Sequence, residues 1–215
     1  MVSETIVRPE LTPNLEFSVP ASRERLERAQ QALRRVNIET EIVPDSGAAR
    51  DRVLELVPEG SEVHIGLSET MRELGVTSFV EQSGKYGAIR PQLMKLDRGT
   101  QRREIAKLAT APDYMLGSVH AVTEEGELVV GSGTGSQLAP YANGAGKVIL
   151  VAGAQKVVAN LEMGLRRLRE YSYPLEDARM KAAGHQGTIL AKTLIISFDY
   201  PGRIHLILVE KPIGF

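Results

Sequence analysis

Cysteine is missing altogether from the 215 residues, which excludes disulfides, thiolate catalysis and cysteine-ligated zinc or iron–sulfur clusters within this chain. Any electron transfer would therefore use a partner. No stretch approaches the roughly 18 apolar residues of a membrane-spanning helix, and no basic segment followed by an apolar run opens the chain. A cytoplasmic location is expected. Excess charge of one sign is lacking too: 26 basic and 27 acidic residues give a net −1. They are interspersed, so no long-range field favours nucleic acid or an anionic membrane. His64, His120, His185 and His205 follow neither HExxH nor HxH spacing, which removes a local two-histidine metal site. A structural or surface role is the ordinary reading of each.

What is present suits one substantial core, with 42% of residues hydrophobic in a chain near the upper end of common single-domain sizes. Residues 1–20 carry Pro9, Pro13 and Pro20 and read as an extended arm, able to pack on a second subunit, ahead of one domain over 21–215. Leu26, Ala29, Leu33 and Val36 recur at three- and four-residue steps, which predicts an amphipathic helix over 22–36 with a solvated outer face. A strand over 38–42 and a helix over 48–57 follow. Next come a short strand over 63–66 and a helix through Gly75. Residues 81–100 show little periodicity and read as a long excursion near a site.

A helix over 101–109 leads to a strand over 113–122. The turn Glu124-Glu125-Gly126-Glu127 returns it as a strand over 128–130, a β-hairpin. Residues 147–152 read as a buried strand, since Val148-Ile149-Leu150-Val151 is apolar on both faces, as in a central parallel strand. Helices over 160–171 and 175–183 flank Pro174. The runs 193–198 and 204–209 around Tyr200-Pro201-Gly202 read as a closing hairpin. Helices alternating with short buried strands predict an α/β fold: a mostly parallel central sheet with helices on both faces and added antiparallel hairpins.

Ligands of open parallel sheets collect at the carboxyl ends of strands, and two loops fit. In the first, Gly66 permits close backbone approach, Ser68 can cap a helix, and N–H groups near Thr70 and Met71 can face an anion. The plainer reading is a cap alone, and Glu69 in the first turn already satisfies the helix dipole. Glu69 is nonetheless a candidate acid or base. In the second loop, Ser132-Gly133-Thr134-Gly135-Ser136 offers a cradle of N–H and hydroxyl donors, against the alternative of a tight turn without a ligand. It is neither a Walker A motif nor GxGxxG, so no nicotinamide cofactor is expected. Lys156 can place a cation at the same sheet edge or be solvated. Ser118 and His120 share one face if they lie on a strand, and His120 can donate to a carboxylate or shuttle a proton. No third partner supports a hydrolase triad.

Several separated strings resemble the LUD, or lactate utilization, family from about residue 60 to Phe215. They are Ser68-Glu69-Thr70-Met71-Arg72-Glu73-Leu74-Gly75, the run from Pro112 to Glu124 containing Gly117-Ser118-Val119-His120, Gly133-Thr134-Gly135-Ser136-Gln137-Leu138, Val151-Ala152-Gly153-Ala154-Gln155-Lys156-Val157-Val158, Pro174-Leu175-Glu176-Asp177-Ala178-Arg179 and the terminal Gly214-Phe215. Gly131-Ser132-Gly133 departs from the pattern, which has an alanine between small residues. The resemblance implies a scaffold similar to sugar-phosphate isomerases, glucosamine-phosphate deaminase, CoA transferases and formyltetrahydrofolate cyclo-ligase, the NagB/RpiA/CoA transferase-like group. It implies work in lactate or related organic-acid utilization beside iron–sulfur partner proteins, with this chain as the cluster-free component binding a small anionic metabolite. A free-standing enzyme on a sugar-phosphate, CoA-ester or folate-type substrate is the alternative, with Glu69 the one candidate for a CoA-transfer nucleophile. A non-catalytic dimer module is the third.

Overall fold

The computed structural model describes residues 11–215, so the first half of the expected arm, 1–10, lies outside the described residues. A 3-10 turn, Leu15–Ser18, is capped by Asn14 and buries Phe17. Helix α1, Arg23–Arg35, starts where the Ser22 hydroxyl accepts the Arg25 N–H, and it ends with Arg34 and Arg35 in its last turn. Both ends thus suit the helix dipole and its orphan amides. Leu26, Ala29 and Leu33 are buried at the expected spacing. The outer face is not simply solvated: Arg25 and Arg28 both bond the Glu124 carboxylate, which docks the helix on the turn over 124–127.

In chain order there follow β1 (Glu39–Val43), α2 (Ser46–Leu56), β2 (Glu62–Ile65), α3 (Glu69–Glu73), α4 (Val76–Gln82), β3 (Gly87–Ala88), α5 (Ile89–Leu93) and α6 (Arg102–Thr110). The excursion expected over 81–100 carries the end of α4, β3 and α5, and the rest of it is turns and irregular chain. Then come β4 (Tyr114–Gly117), β5 (Ala121–Thr123), β6 (Leu128–Ser132), β7 (Lys147–Gly153), β8 (Val157–Val158), α7 (Leu161–Arg167), α8 (Tyr173–Ala182), β9 (Lys192–Ile196) and β10 (Ile204–Val209).

Six strands form a parallel sheet in the order β1-β10-β7-β4-β2-β3. A second sheet, β8-β5-β6-β9, is mixed, with the β5–β6 hairpin and the β6–β9 pair antiparallel. Strand period separates the cores. Val148, Leu150 and Ala152 of β7 join α1 and the inner face of the small sheet, whereas Ile149 and Val151 pack with residues of α2, α3 and α4. The outer face of the small sheet buries Ala121, Val129 and Val158 against Leu168 and Tyr171. The molecule is thus an α/β fold with a largely parallel central sheet, helices on both faces and a smaller sheet added.

Two local expectations are corrected. The run 113–122 is not one strand: the chain leaves the large sheet after Gly117 and enters the small one at Ala121. Tyr141 fills the corner, its hydroxyl accepting the Ser118 N–H at 3.1 Å. A Cβ on Gly117 would fall 1.8 Å from that oxygen, so only glycine fits. The closing hairpin is absent as well, because β9 pairs with β6 and β10 with β7 and β1. The turn survives, with Arg203 N–H donating to the Tyr200 carbonyl. Asp199 N–H, however, donates to the Val36 carbonyl, and Asn37 Nδ2 to the Asp199 carbonyl. The approaching strand is thereby drawn to the end of α1 instead of pairing with β10.

Candidate functional site

The switch from one sheet to the other places residues 118–120 at the carboxyl end of β4, beside the loop after β2 and the loop after β6. A cavity of about 380 Å³ opens there, lined by Gly66, Ser68, Glu69, Thr70, Ser118, His120, Gly133, Thr134, Ser136 and Lys156. Of the residues singled out from sequence, Gly135 alone is not on its wall; its backbone sits at φ 88°, a turn geometry that favours glycine.

Lys156 ends a short 3-10 turn, Ala154–Lys156, directly after β7, and it is buried rather than solvated, with 1% of its surface exposed. Its Nζ lies 3.0 Å from Thr70 Oγ1 and 2.9 Å from Ser118 Oγ. No carboxylate forms an ion pair with it among the described residues. Burial, seconded by the positive charge of Arg167 and opposed by Glu73, holds the Lys156 amine well below the ordinary lysine range, as expected for an ammonium removed from water without a counter-ion.

His120 is not on a strand, so it does not share a strand face with Ser118; both sit in the crossover, where the backbone turns between sheets. His120 Nδ1 accepts the Gly131 N–H at 3.0 Å, which leaves the ring proton of the neutral form on Nε2. Burial, then the charges of Lys156 and Arg167, push its pKa down to about 3. The imidazole is therefore neutral near pH 7.

Arg167 was not legible in the sequence, yet it organises this corner. It is fully buried and donates to the His120 carbonyl, to the Gln155 carbonyl at 3.0 Å and to Ser172 Oγ at 3.0 Å. Its Nη2 has no hydrogen-bond partner among the described residues. Its guanidinium lies over the Tyr171 ring, 4.9 Å from the centroid, and burial lowers its pKa to about 10. One side chain thus fixes the backbone on either side of the cavity, next to His120 and next to Lys156. Gln155 fixes a third piece, donating to the Ile213 and Gly214 carbonyls, and Phe215 forms part of the wall.

The two loops behave differently from a bare anion cradle. Ser68 Oγ accepts the Met71 N–H at 3.3 Å, so that donor of the five-residue α3 is already used by its cap. Glu69 is bonded to Arg72 and lies 3.9 Å from Arg179. In the second loop Gly135 N–H donates to Ser132 Oγ and Ser136 N–H to Thr134 Oγ1. The N–H groups of Gly133 and Thr134 make no backbone–backbone hydrogen bond among the described residues. A Cβ on Gly133 would lie 2.9 Å from the Ile189 carbonyl oxygen, so packing against a neighbouring segment already accounts for this glycine.

Around the rim stand Arg72, Arg90 and Arg179 together with Glu69, Glu81 and Glu176. Arg90 pairs with Glu81 at 3.5 Å and Arg179 with Glu176 at 2.7 Å. Among the described residues no cluster of three or more His, Asp or Glu side chains is placed to hold a metal ion, and no helix is long and apolar enough to cross a membrane. What the arrangement can do is hold a polar small molecule by backbone amides, rim guanidinia and the imidazole Nε2–H, above an amine that has no counter-ion.

The family model described as LUD domain matches residues 26–209. A crystal structure of a DUF162 family protein from Deinococcus radiodurans is similar in fold, with a TM-score of 0.56 over 88% of this chain and 99% of that one, at 13% sequence identity. At that identity the likeness speaks for the fold alone. A comparison with curated proteins finds no match.

Proposed function

This chain belongs to the LUD domain family, and from that premise we propose that its cavity binds a small anionic metabolite, a carboxylic acid of the lactate and pyruvate class, in organic-acid utilization. The observation that carries the reading is Lys156: a buried amine below an open cavity, bonded to two hydroxyls and to no carboxylate. In the empty site burial disfavours the charged form of this amine, and an arriving anion favours its protonation, so the site gains its ion pair only when a ligand is bound. The amides of Gly133 and Thr134, which make no backbone hydrogen bond among the described residues, and His120 Nε2–H add neutral donors that can orient an anion. In this reading the chain is the component without an iron–sulfur cluster, and partner proteins carry the electrons.

Thermal-shift or calorimetric titration with lactate, pyruvate, sugar phosphates, CoA esters and folates tests it. A ligand at 100 times its Kd should stabilise the fold by about 2.7 kcal/mol. Absence of any shift with the small carboxylates would refute the reading. Co-purification with a cluster-bearing partner supports the place in lactate oxidation, and turnover by the isolated chain argues against it.

One observation favours a second reading, an enzyme acting alone on a larger phosphorylated or folate-type substrate. The cavity volume of about 380 Å³ lies within the roughly 300–1,000 Å³ range of pockets for drug-sized ligands, and a three-carbon acid does not fill it. CoA transfer is the least supported of these chemistries, since Glu69 is held by Arg72 rather than presented as a nucleophile.

A further inference from the structure

We propose that Lys156 is a nucleophile that condenses with the carbonyl group of a small 2-oxo acid to form an imine in this cavity. This rests on the small-anion reading and narrows its ligand to carboxylates that also carry an aldehyde or ketone.

One assignment of the hydroxyl protons satisfies all three side chains. Ser118 Oγ donates to the Val151 carbonyl at 2.7 Å, and Thr70 Oγ1 donates to Ser118 Oγ at 3.3 Å. Each hydroxyl has one proton; with the Ser118 proton on the Val151 carbonyl and the Thr70 proton on Ser118 Oγ, every proton of the cluster has an acceptor and both oxygens accept from Lys156. The amine therefore gives two N–H bonds, one to each. A neutral amine has two N–H groups and a lone pair; with both protons engaged, the lone pair is the one feature left over. An ammonium would instead turn a third N–H towards the cavity, where no carboxylate pairs with it among the described residues and the Arg167 charge opposes it. The hydrogen-bond pattern thus presents a neutral amine with its lone pair unoccupied, and the depressed basicity of Lys156 agrees with it. Lysines of this kind, desolvated and beside another cation, are the ones that attack carbonyls.

The step balances without an oxidant. The Nζ lone pair forms a C–N bond to the carbonyl carbon while the C=O π pair moves to oxygen, which takes a proton released from Nζ through solvent in the cavity; His120 Nε2–H, a neutral donor lining the same cavity, hydrogen-bonds the developing alkoxide and keeps its proton. The carbinolamine oxygen takes a second proton and leaves as water as the C=N bond forms. Both protons carried off in the water are matched by the two lost from Nζ, so His120 ends as it began. The carboxylate of the ligand is held by the amides of Gly133 and Thr134 and by the rim arginines.

The test uses the full chain with glyoxylate or pyruvate and sodium borohydride, which reduces an imine to a stable secondary amine. The expected result is one adduct per chain, located at Lys156 by peptide mapping of the wild-type protein. Lactate, which has no carbonyl, should form none and should compete. In Lys156→Met and Lys156→Arg the adduct should be lost. Labelling spread over surface lysines, or no adduct under conditions where pyruvate stabilises the fold, overturns the imine and leaves anion binding standing. Absence of both adduct and stabilisation by lactate or pyruvate removes the two readings together. Because the adduct is mapped on wild-type protein, the result does not depend on how the variants fold.

Discussion

Ser118 Oγ accepts from Lys156 Nζ at 2.9 Å while giving its own proton to the Val151 carbonyl at 2.7 Å. The serine thereby connects the carboxyl end of strand β7 to the buried amine, and its hydroxyl proton is engaged by the backbone. A serine nucleophile is disfavoured by this geometry, since activation would require a base at a proton already given to the backbone.

Lys156 makes stability depend on alkaline pH. Its folded pKa is lowered from 10.5, so between the folded value and 10.5 the unfolded chain binds a proton that the native chain does not. Stability contributed by this site therefore rises with pH up to about 10.5, with a slope of at most about 1.4 kcal/mol per pH unit. Denaturant melts at pH 7 and pH 10 should show wild type gaining on Lys156→Met as pH rises. A constant difference between the two proteins would mean that the amine titrates normally.

His120 acts in the same direction at acid pH. Its folded pKa of about 3 lies below the ordinary 6.5, so stability falls as pH drops from about 6.5 to about 3, where the unfolded chain takes up the proton first. His120→Gln, which keeps an acceptor for the Gly131 N–H, should flatten that part of the curve. Equal acid sensitivity of variant and wild type would contradict the burial of this ring.

Arg167→Met removes a buried cation close to His120 and three hydrogen bonds. The His120 titration, followed by NMR, should move up from about 3 yet stay below 6.5, because burial is the larger cause of its depression and the arginine a smaller one. A histidine pKa unchanged by the substitution would show that the guanidinium does not reach it electrostatically.

Gly133→Val tests the loop after β6. The added side chain starts 2.9 Å from the Ile189 carbonyl, and relief requires the two segments to part, at a cost of roughly 1–3 kcal/mol. A thermal melt should show the loss, and binding of any anion identified should weaken with it. Unchanged stability would indicate that residues 188–190 yield freely.

Periodicity and turn chemistry made much of the fold readable. Helix α1 and strand β7 fall within one residue of their expected limits, because each has an apolar pattern that a single period explains. Pairing was less readable: 193–198 and 204–209 look like hairpin arms, and the pairing of β9 with β6 and the long-range bonds from residue 199 to 36 and 37 separate them. The same holds for residues 118–120, where a change of sheet leaves no mark except Gly117. At the site, the loops and Lys156 stood out by composition and by resemblance. Arg167 did not, since it stands beside Arg166 and Arg169 in a segment that reads as a charged outer face. Arg166 pairs with Glu170 at the surface, whereas its neighbour turns wholly inward.

The crossover at Ser118 to His120 also sets how the molecule can loosen. The cavity lies across a seam, with Thr70 and Lys156 at the edge of the large sheet and Gly133 and Thr134 on the loop from the small one. The two sheets share one hydrophobic cluster, in which Leu150 of β7 and Val130 of β6 both lie, so opening at the seam exposes that cluster from both sides. A ligand spanning the seam would act as a rivet, and amide hydrogen exchange in β6 and β9 would then slow along with exchange in β4 and β7.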